Sequence, residues 1–139
     1  MRASTVVFLM SLSAGVGAQE GLLVVTGFGT VDPAKFATSS QGRMMAERAA
    51  QVDGQRQLAE SIKGVELTGG TTVEEYEVTS DIVATRVRGL VRGAFVLDKK
   101  VVEENDTLVA EVQMAVCIDN RATVCAGKTT LQSIVEQAE

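Results

Sequence analysis

The sequence predicts an α+β fold, in which one long helix packs on a mainly antiparallel sheet of about 4–5 strands. Residues 40–62 carry apolar side chains at helical spacing, and shorter segments rich in β-branched residues lie on either side of them. Strand and helix segments do not alternate along the chain, which argues against a parallel βα sheet. The long helix is therefore expected to cover one sheet face and to leave the other for solvent or a partner.

The N-terminus has the pattern of a secretory signal peptide. Arg2 precedes an apolar run at residues 6–10, and small residues follow as far as Ala18. A membrane-spanning helix needs roughly 20 apolar residues, and serines and glycines interrupt this run well before that length. We predict that residues 1–18 are a cleavable signal peptide and residues 19–139 a single domain; the alternative is a buried N-terminal strand of a cytosolic protein.

The first strand is predicted over residues 21–31, where β-branched side chains are frequent. Gly27 and Gly29 within it allow a bulge or the close approach of another backbone. Asp32 and Pro33 then end the strand and suit the N-cap and first position of a helix.

The helix over residues 40–62 is the element for which composition, period and length agree. Gly64 suits its C-terminal end. Its predicted apolar face carries Met45, Ala49, Val52, Ala59 and Ile62.

A second pattern lies on the same helix, where small residues recur at every fourth position. Ala46, Ala50 and Gly54 would form a shallow groove along one side. The groove is a candidate interface for a neighbouring subunit, and close packing on the protein's own sheet is the alternative.

The chain after the helix is predicted to be mostly β. Residues 65–78 suggest a strand interrupted by two glycines, and residues 89–97 a core strand. Residues 82–89 favour another strand, with a short helix across residues 80–87 as a competitor. A polar turn at residues 104–106 leads into a hairpin partner over residues 108–116, and residues 129–138 have the spacing of a short C-terminal helix.

The cysteines, Cys117 and Cys125, stand eight positions apart around a polar stretch that can turn the chain. In an oxidising compartment they are expected to form a disulfide, with two unpaired thiols as the alternative. A zinc site is disfavoured, because two cysteines without a histidine leave a tetrahedral metal short of ligands.

Composition argues against most catalytic functions. The chain has no histidine, so the ordinary Ser-His and Cys-His pairs are absent. We therefore expect no catalytic residues, no metal and no cofactor. The net charge of -5 argues against nucleic-acid binding, and the 4% of aromatic residues offers little surface for stacking bases or sugars.

Arg86, Arg88 and Arg92 share one parity in the predicted strand and could form a basic stripe for an anionic partner. The alternative is ion pairing with acidic residues of an adjacent strand, namely Glu74, Glu75 and Glu77.

Three segments resemble the LPP-twenty lipoprotein family, which includes the flagellar protein FlgP. They are MAERAAQVDGQRQLAE at residues 45–60 with the following 62–65, VRGLVRGAFV at 87–96, and LVAEVQM at 108–114. The latter two are similar to the family's strand blocks, and a similar domain opens FlgT. Lipoprotein members carry a cysteine at the cleavage site, whereas the first cysteine here is Cys117, so lipid anchoring is not expected.

The resemblance implies a small envelope domain that is used in oligomeric rings or disks. We expect a non-enzymatic structural subunit of a periplasmic or outer-membrane-associated assembly, most sharply a flagellar basal-body ring or disk protein involved in motility. Its partners would be copies of itself and other envelope or flagellar ring proteins. The alternative is a secreted monomeric binding module for an envelope polymer or a small ligand.

Overall fold

A computed structural model describes residues 17–138 and contains both a sheet and a layer of helices. This confirms the α+β class and the single long helix, but the sheet has only three long strands and one strand of three residues. Residues 1–16 of the predicted leader lie outside the residues that the structure describes. The elements, in chain order, are β1 (Gly17–Gln19), β2 (Leu22–Val31), α1 (Ser39–Ser61), α2 (Val73–Thr79), α3 (Asp81–Arg92), β3 (Phe95–Glu104), β4 (Thr107–Cys117) and α4 (Leu131–Ala138).

The sheet has the strand order β1-β2-β4-β3, and every neighbouring pair is antiparallel. β2 pairs with β4 along its whole length, from Leu22 opposite Cys117 to Val31 opposite Leu108. β3 and β4 form a hairpin around the predicted turn, in which Asn105 and Asp106 have positive φ angles of 49° and 59°. β3 therefore lies at one edge of the sheet.

The contact between α1 and β2 is unusually close, because small residues face each other across it. A β carbon at Gly27 of β2 would lie only 2.6 Å from the backbone nitrogen of Gly54 on α1. Ala46 and Ala50 on the same helical side are completely buried. The glycines of the first strand thus allow the close backbone approach that the sequence indicated.

Most of the residues predicted to form the buried apolar face of α1 are exposed. Met45 is 43% exposed and Val52 is 62% exposed. Opposite Gly27 and Gly29 only small side chains fit between the helix and the sheet, so Met45 and Val52 point away; Leu58 is buried one turn beyond Gly54. The buried face consists of Gly42, Ala46, Ala50, Gly54 and Leu58.

Two predicted strands are helices. α2 occupies the second half of the predicted strand over residues 65–78, where only an isolated bridge between Glu66 and Thr72 has β pairing. α3 replaces the predicted strand over residues 82–89, so the competing short helix is correct. The predicted core strand at residues 89–97 is wrong in position and burial, because α3 continues to Arg92 and β3, which begins at Phe95, is a mostly exposed edge strand. The family block at residues 87–96 is therefore mainly helical.

Local capping explains why these segments are helical. The hydroxyl of Thr72 accepts a hydrogen bond from the Glu75 backbone amide, and the hydroxyl of Ser80 accepts one from Val83, each at 3.3 Å. Val83, Val87 and Val91 recur at every fourth position and are the buried residues of α3. Their spacing satisfies a helical face better than the alternating pattern of a strand.

The main core lies on one face of the sheet, under α1, α3 and α4. A smaller cluster on the opposite face contains Leu22, Val24, Ala115 and the two cysteines. Beyond this cluster the second face is open, as expected for a sheet covered by one layer of helices. The predicted C-terminal helix is confirmed as α4, whose buried residues are Leu131, Ile134 and Val135.

Candidate functional site

The predicted helix groove does not form a free surface. Ala46, Ala50 and Gly54 are all buried, and Gly54 lies between Gly27 of β2 and the side chain of Met114 on β4. The alternative, packing on the protein's own sheet, is the arrangement observed. Within this structure these residues cannot reach a neighbouring subunit.

The three arginines do not form a stripe, because they lie on α3 and not on a strand. At about 3.6 residues per turn, Arg88 and Arg92 fall close together on the helix and Arg86 falls on the opposite side. The single-parity stripe is wrong. The alternative pairing across adjacent strands is wrong as well, because Glu74, Glu75 and Glu77 lie on α2 and no ion pair joins α2 to α3 among residues 17–138.

Cys117 and Cys125 are joined in a disulfide, with their α carbons 5.9 Å apart. Cys117 is the last residue of β4, and Cys125 ends a short 3-10 turn over Thr123–Cys125. Both are buried in the smaller cluster. The bond holds the connection between β4 and α4 against the second face of the sheet.

The outer edge of β2 is held by polar side chains of α1. The Asp53 carboxylate accepts a hydrogen bond from the Phe28 backbone amide at 2.9 Å, and the Gln57 side-chain amide donates to the Thr26 carbonyl at 2.9 Å. Gln57 also donates to Asp53, and Arg56 forms an ion pair with it at 2.8 Å. These contacts pair backbone groups of β2 that would otherwise be open to an added strand.

The same contacts set the charge state of Asp53. The hydrogen bond from the Phe28 amide, followed by that from Arg56, lowers the pKa of Asp53 below its ordinary value. Arg121 lowers the pKa of Asp119 in the same way, on the segment between β4 and the disulfide turn. Both carboxylates are therefore ionised well into the acid range.

β3 forms the opposite edge of the sheet and is much more open. It is ten residues long, pairs only with β4 in the described part of the chain, and most of its residues are exposed. Val96, Leu97 and Val102 are apolar residues of this strand that remain between 38% and 41% exposed. A register shift between Val96 and Asp98 places a bulge at Leu97.

The two lysines of β3 form ion pairs within the chain. Lys99 pairs with Glu47 of α1 at 3.5 Å, and Lys100 pairs with Glu111 of β4 at 3.2 Å. Lysines on an edge strand often discourage pairing with another strand. Here each ammonium group lies beside a carboxylate of the same molecule, whereas Asp98, Glu103 and Glu104 of the same strand have no ion pair within the described residues.

The open sheet face next to β3 combines apolar and charged side chains. Because directly opposed residues of antiparallel strands share a face, Phe28, Glu111 and Lys100 form one row across the sheet. Thr30, Val109 and Val102 form the adjacent row. Phe28 is 44% exposed in this row, so the face offers an aromatic contact beside an ion pair.

Within the described chain, no group of three or more acidic or cysteine side chains is arranged to hold a metal ion. No helix among these residues is sufficiently long and apolar to span a membrane. Comparisons with protein-family models, with curated proteins and with solved structures gave no match for this chain. The functional argument therefore depends on the surfaces described above.

Proposed function

We propose that this protein is a non-enzymatic structural subunit of a periplasmic or outer-membrane-associated assembly, and that it makes its main contact through β3. The observation that carries the proposal is the open, ten-residue edge strand with exposed apolar side chains. An unpaired strand edge presents backbone donors and acceptors to a strand of another chain. The proposed partner is a second copy of this protein.

The two edges of the sheet differ in a way that supports this choice. At β2, the side chains of Asp53 and Gln57 already occupy backbone groups. At β3, the described residues provide no such cover beyond β4. Contact through β3 would therefore displace fewer existing hydrogen bonds than contact through β2.

The envelope setting rests on the leader pattern of residues 1–18 and on the disulfide, which suits an oxidising compartment. Cleavage after Ala18 would remove two of the three β1 residues and leave the three long strands unchanged. The sharper proposal of a flagellar ring or disk protein rests on the resemblance of the α1 and β4 segments to the LPP-twenty family. The resemblance does not imply a lipid anchor here, because the first cysteine of the chain is Cys117.

The test is the mass of the purified protein in solution, measured by light scattering over a wide concentration range and with envelope extract added. We expect species larger than a monomer. Leu97→Lys adds an unpaired charge to the exposed bulge of β3 and should shift the protein toward the monomer. Val78→Lys is the matched control, because Val78 is 82% exposed on α2 and away from the sheet.

A protein that stays monomeric at high concentration, with and without extract, would contradict the proposal. Equal effects of Leu97→Lys and Val78→Lys would contradict the role of β3 in particular. The periplasmic location is tested separately by mass spectrometry of the protein from a periplasmic fraction. We expect a processed N-terminus at Gln19. A monomer that binds an envelope polymer or a small ligand would favour the alternative of a secreted binding module.

A further inference from the structure

A cavity of about 500 Å³ lies at one end of the sheet, where Phe95, two residues before the bulge of β3, is part of its lining. It is bounded by the C-terminal half of α3, the start of β3, the end of β4 and the segment leading into α4. Its volume is within the range of cavities that hold small organic ligands. Its walls are mainly apolar and include Leu90, Phe95, Ala115, Val116 and Ile134.

The charge of the cavity is opposite to that of the whole protein. The protein has a net charge of -5, yet the cavity is lined by Arg86 and Lys128 and by no carboxylate. Neither cation forms an ion pair within the described residues. Two cations beside an apolar wall provide charge complementarity for an anionic head group.

The neighbours of the two cations leave them available to a ligand. Arg86 makes one long hydrogen bond, from Nη1 to Oε1 of Gln137 at 3.4 Å. Lys128 Nζ lies 4.9 Å from the centre of the Phe95 ring, so its charge sits over an apolar wall of the cavity. A carboxylate would give each cation a stronger partner than it has in the free protein.

Two features of the chain keep the cavity open and fix its cationic side. A β carbon built at Gly89 meets nothing within 4 Å, so this position of α3 leaves space at the cavity. The disulfide holds the segment that carries Lys128, because the Lys128 amide donates to the Cys125 carbonyl at 3.0 Å. Cys117 itself lines the cavity.

We propose that this cavity binds a small amphiphile with one carboxylate head and an aliphatic chain. Arg86 and Lys128 hold the carboxylate, and the chain packs against the half-buried Leu90, Ala94 and Phe95. A polyanion is disfavoured, because the acidic total charge of the protein would repel its additional charges. This inference does not rest on assembly through β3, because its two cations lie on α3 and on the segment before α4; Phe95 is the one cavity residue that also belongs to β3.

The test uses decanoate as the probe, titrated into the oxidised full-length protein and followed by calorimetry and by amide chemical shifts. Methyl decanoate has the same chain without the charge, and decylammonium has the opposite charge. We expect decanoate to bind at least about tenfold more tightly than either of them. The shift changes should concentrate around Arg86, Phe95 and Lys128.

Variants separate the head-group contacts from the apolar ones. Arg86→Gln and Lys128→Gln should each weaken decanoate binding about tenfold and leave methyl decanoate unaffected. Gly89→Leu should weaken the binding of both ligands, because its side chain would fill the cavity. Arg88→Gln is the matched control, because Arg88 lies on the other side of α3 and bonds Thr85.

The proposal is overturned if decanoate fails to bind at about 1 mM, if either analogue binds equally well, or if both glutamine variants bind like the original protein. Arg86 and Lys128 are exposed, so their substitution should not prevent folding. Unchanged far-ultraviolet circular dichroism verifies this for each variant.

Discussion

The carboxylate of Asp53 lies 2.9 Å from the backbone nitrogen of Phe28, twenty-five positions earlier in the chain, and accepts its hydrogen bond. A helix side chain here replaces the neighbouring strand that would otherwise satisfy this amide. The arrangement depends on Gly27 and Gly29, which let α1 come close enough for a short side chain to reach β2.

Removing the Asp53 carboxylate should destabilise the protein. We expect Asp53→Ala to lower the free energy of unfolding by about 1–2 kcal/mol, because the Phe28 amide loses its acceptor. Asp53→Asn should cost less, since an amide oxygen can still accept that bond. Glu60→Ala, which breaks only the exposed pair with Arg56, should change stability by less than about 0.5 kcal/mol. Urea denaturation measures all three; equal losses in Asp53→Ala and Glu60→Ala would refute the assignment.

The stabilisation by Asp53 should depend on pH. Its pKa is lowered in the folded protein, so the contribution is fully present above the unfolded value of about 3.9 and is lost as the pH falls through the folded value. The stability difference between the original protein and Asp53→Asn should therefore shrink as the pH is lowered from about 7 to about 2. Asp119, whose pKa is also lowered, is present in both proteins, so its contribution to stability cancels in the difference. A constant difference across the range would be inconsistent with this account.

A methyl group should have opposite effects at two glycines. At Gly27 it would overlap the backbone of α1, so we expect Gly27→Ala to cost about 3 kcal/mol or to prevent folding. At Gly89 it meets open space in the interior of α3, so Gly89→Ala should stabilise by about 0.5–1 kcal/mol. Thermal unfolding followed by circular dichroism compares them; a neutral Gly27→Ala would show that α1 and β2 are not in close contact.

Breaking the disulfide should destabilise the native state without changing the sheet. Cross-linking residues 117 and 125 closes a short loop, and its removal should cost about 2–3 kcal/mol through the greater entropy of the unfolded chain. Unfolding in urea with and without reductant measures the cost. The double variant Cys117→Ser, Cys125→Ser should be insensitive to reductant. Equal stability of the oxidised and reduced protein would contradict the prediction.

The positions of the elements were predicted correctly where several local sequence signals agreed with one another. β2 lies at residues 22–31 and α1 at 39–61, close to the predicted bounds, because the capping residues and glycines there act within one turn of the chain. Residues 82–89 were ambiguous, since valines at every fourth position also fit one side of an alternating strand. The cap at Ser80 and the packing of Val83, Val87 and Val91 on the core favour the helix.

The surfaces were harder to predict than the elements. The prediction of an arginine stripe was wrong because it assumed a strand, and these residues form a helix. Every second residue shares a face in a strand but not in a helix. The cavity combines Arg86 with Lys128, forty-two positions later, and no local pattern links them. A search for unpaired cations flanking the cysteine loop would have found Lys128 but not its partner.

The α+β class, the long helix, the turn and second strand of the β3–β4 hairpin and the short C-terminal helix were predictable, because caps, turns and hydrophobic period act between residues that are near in the chain. The buried side of α1 and the free edge of the sheet became known only from the three-dimensional fold. Those outcomes depend on residues that are distant in the chain. The small residues of α1 are buried and Met45 and Val52 exposed because Gly27 and Gly29 of β2 admit only small side chains at the contact.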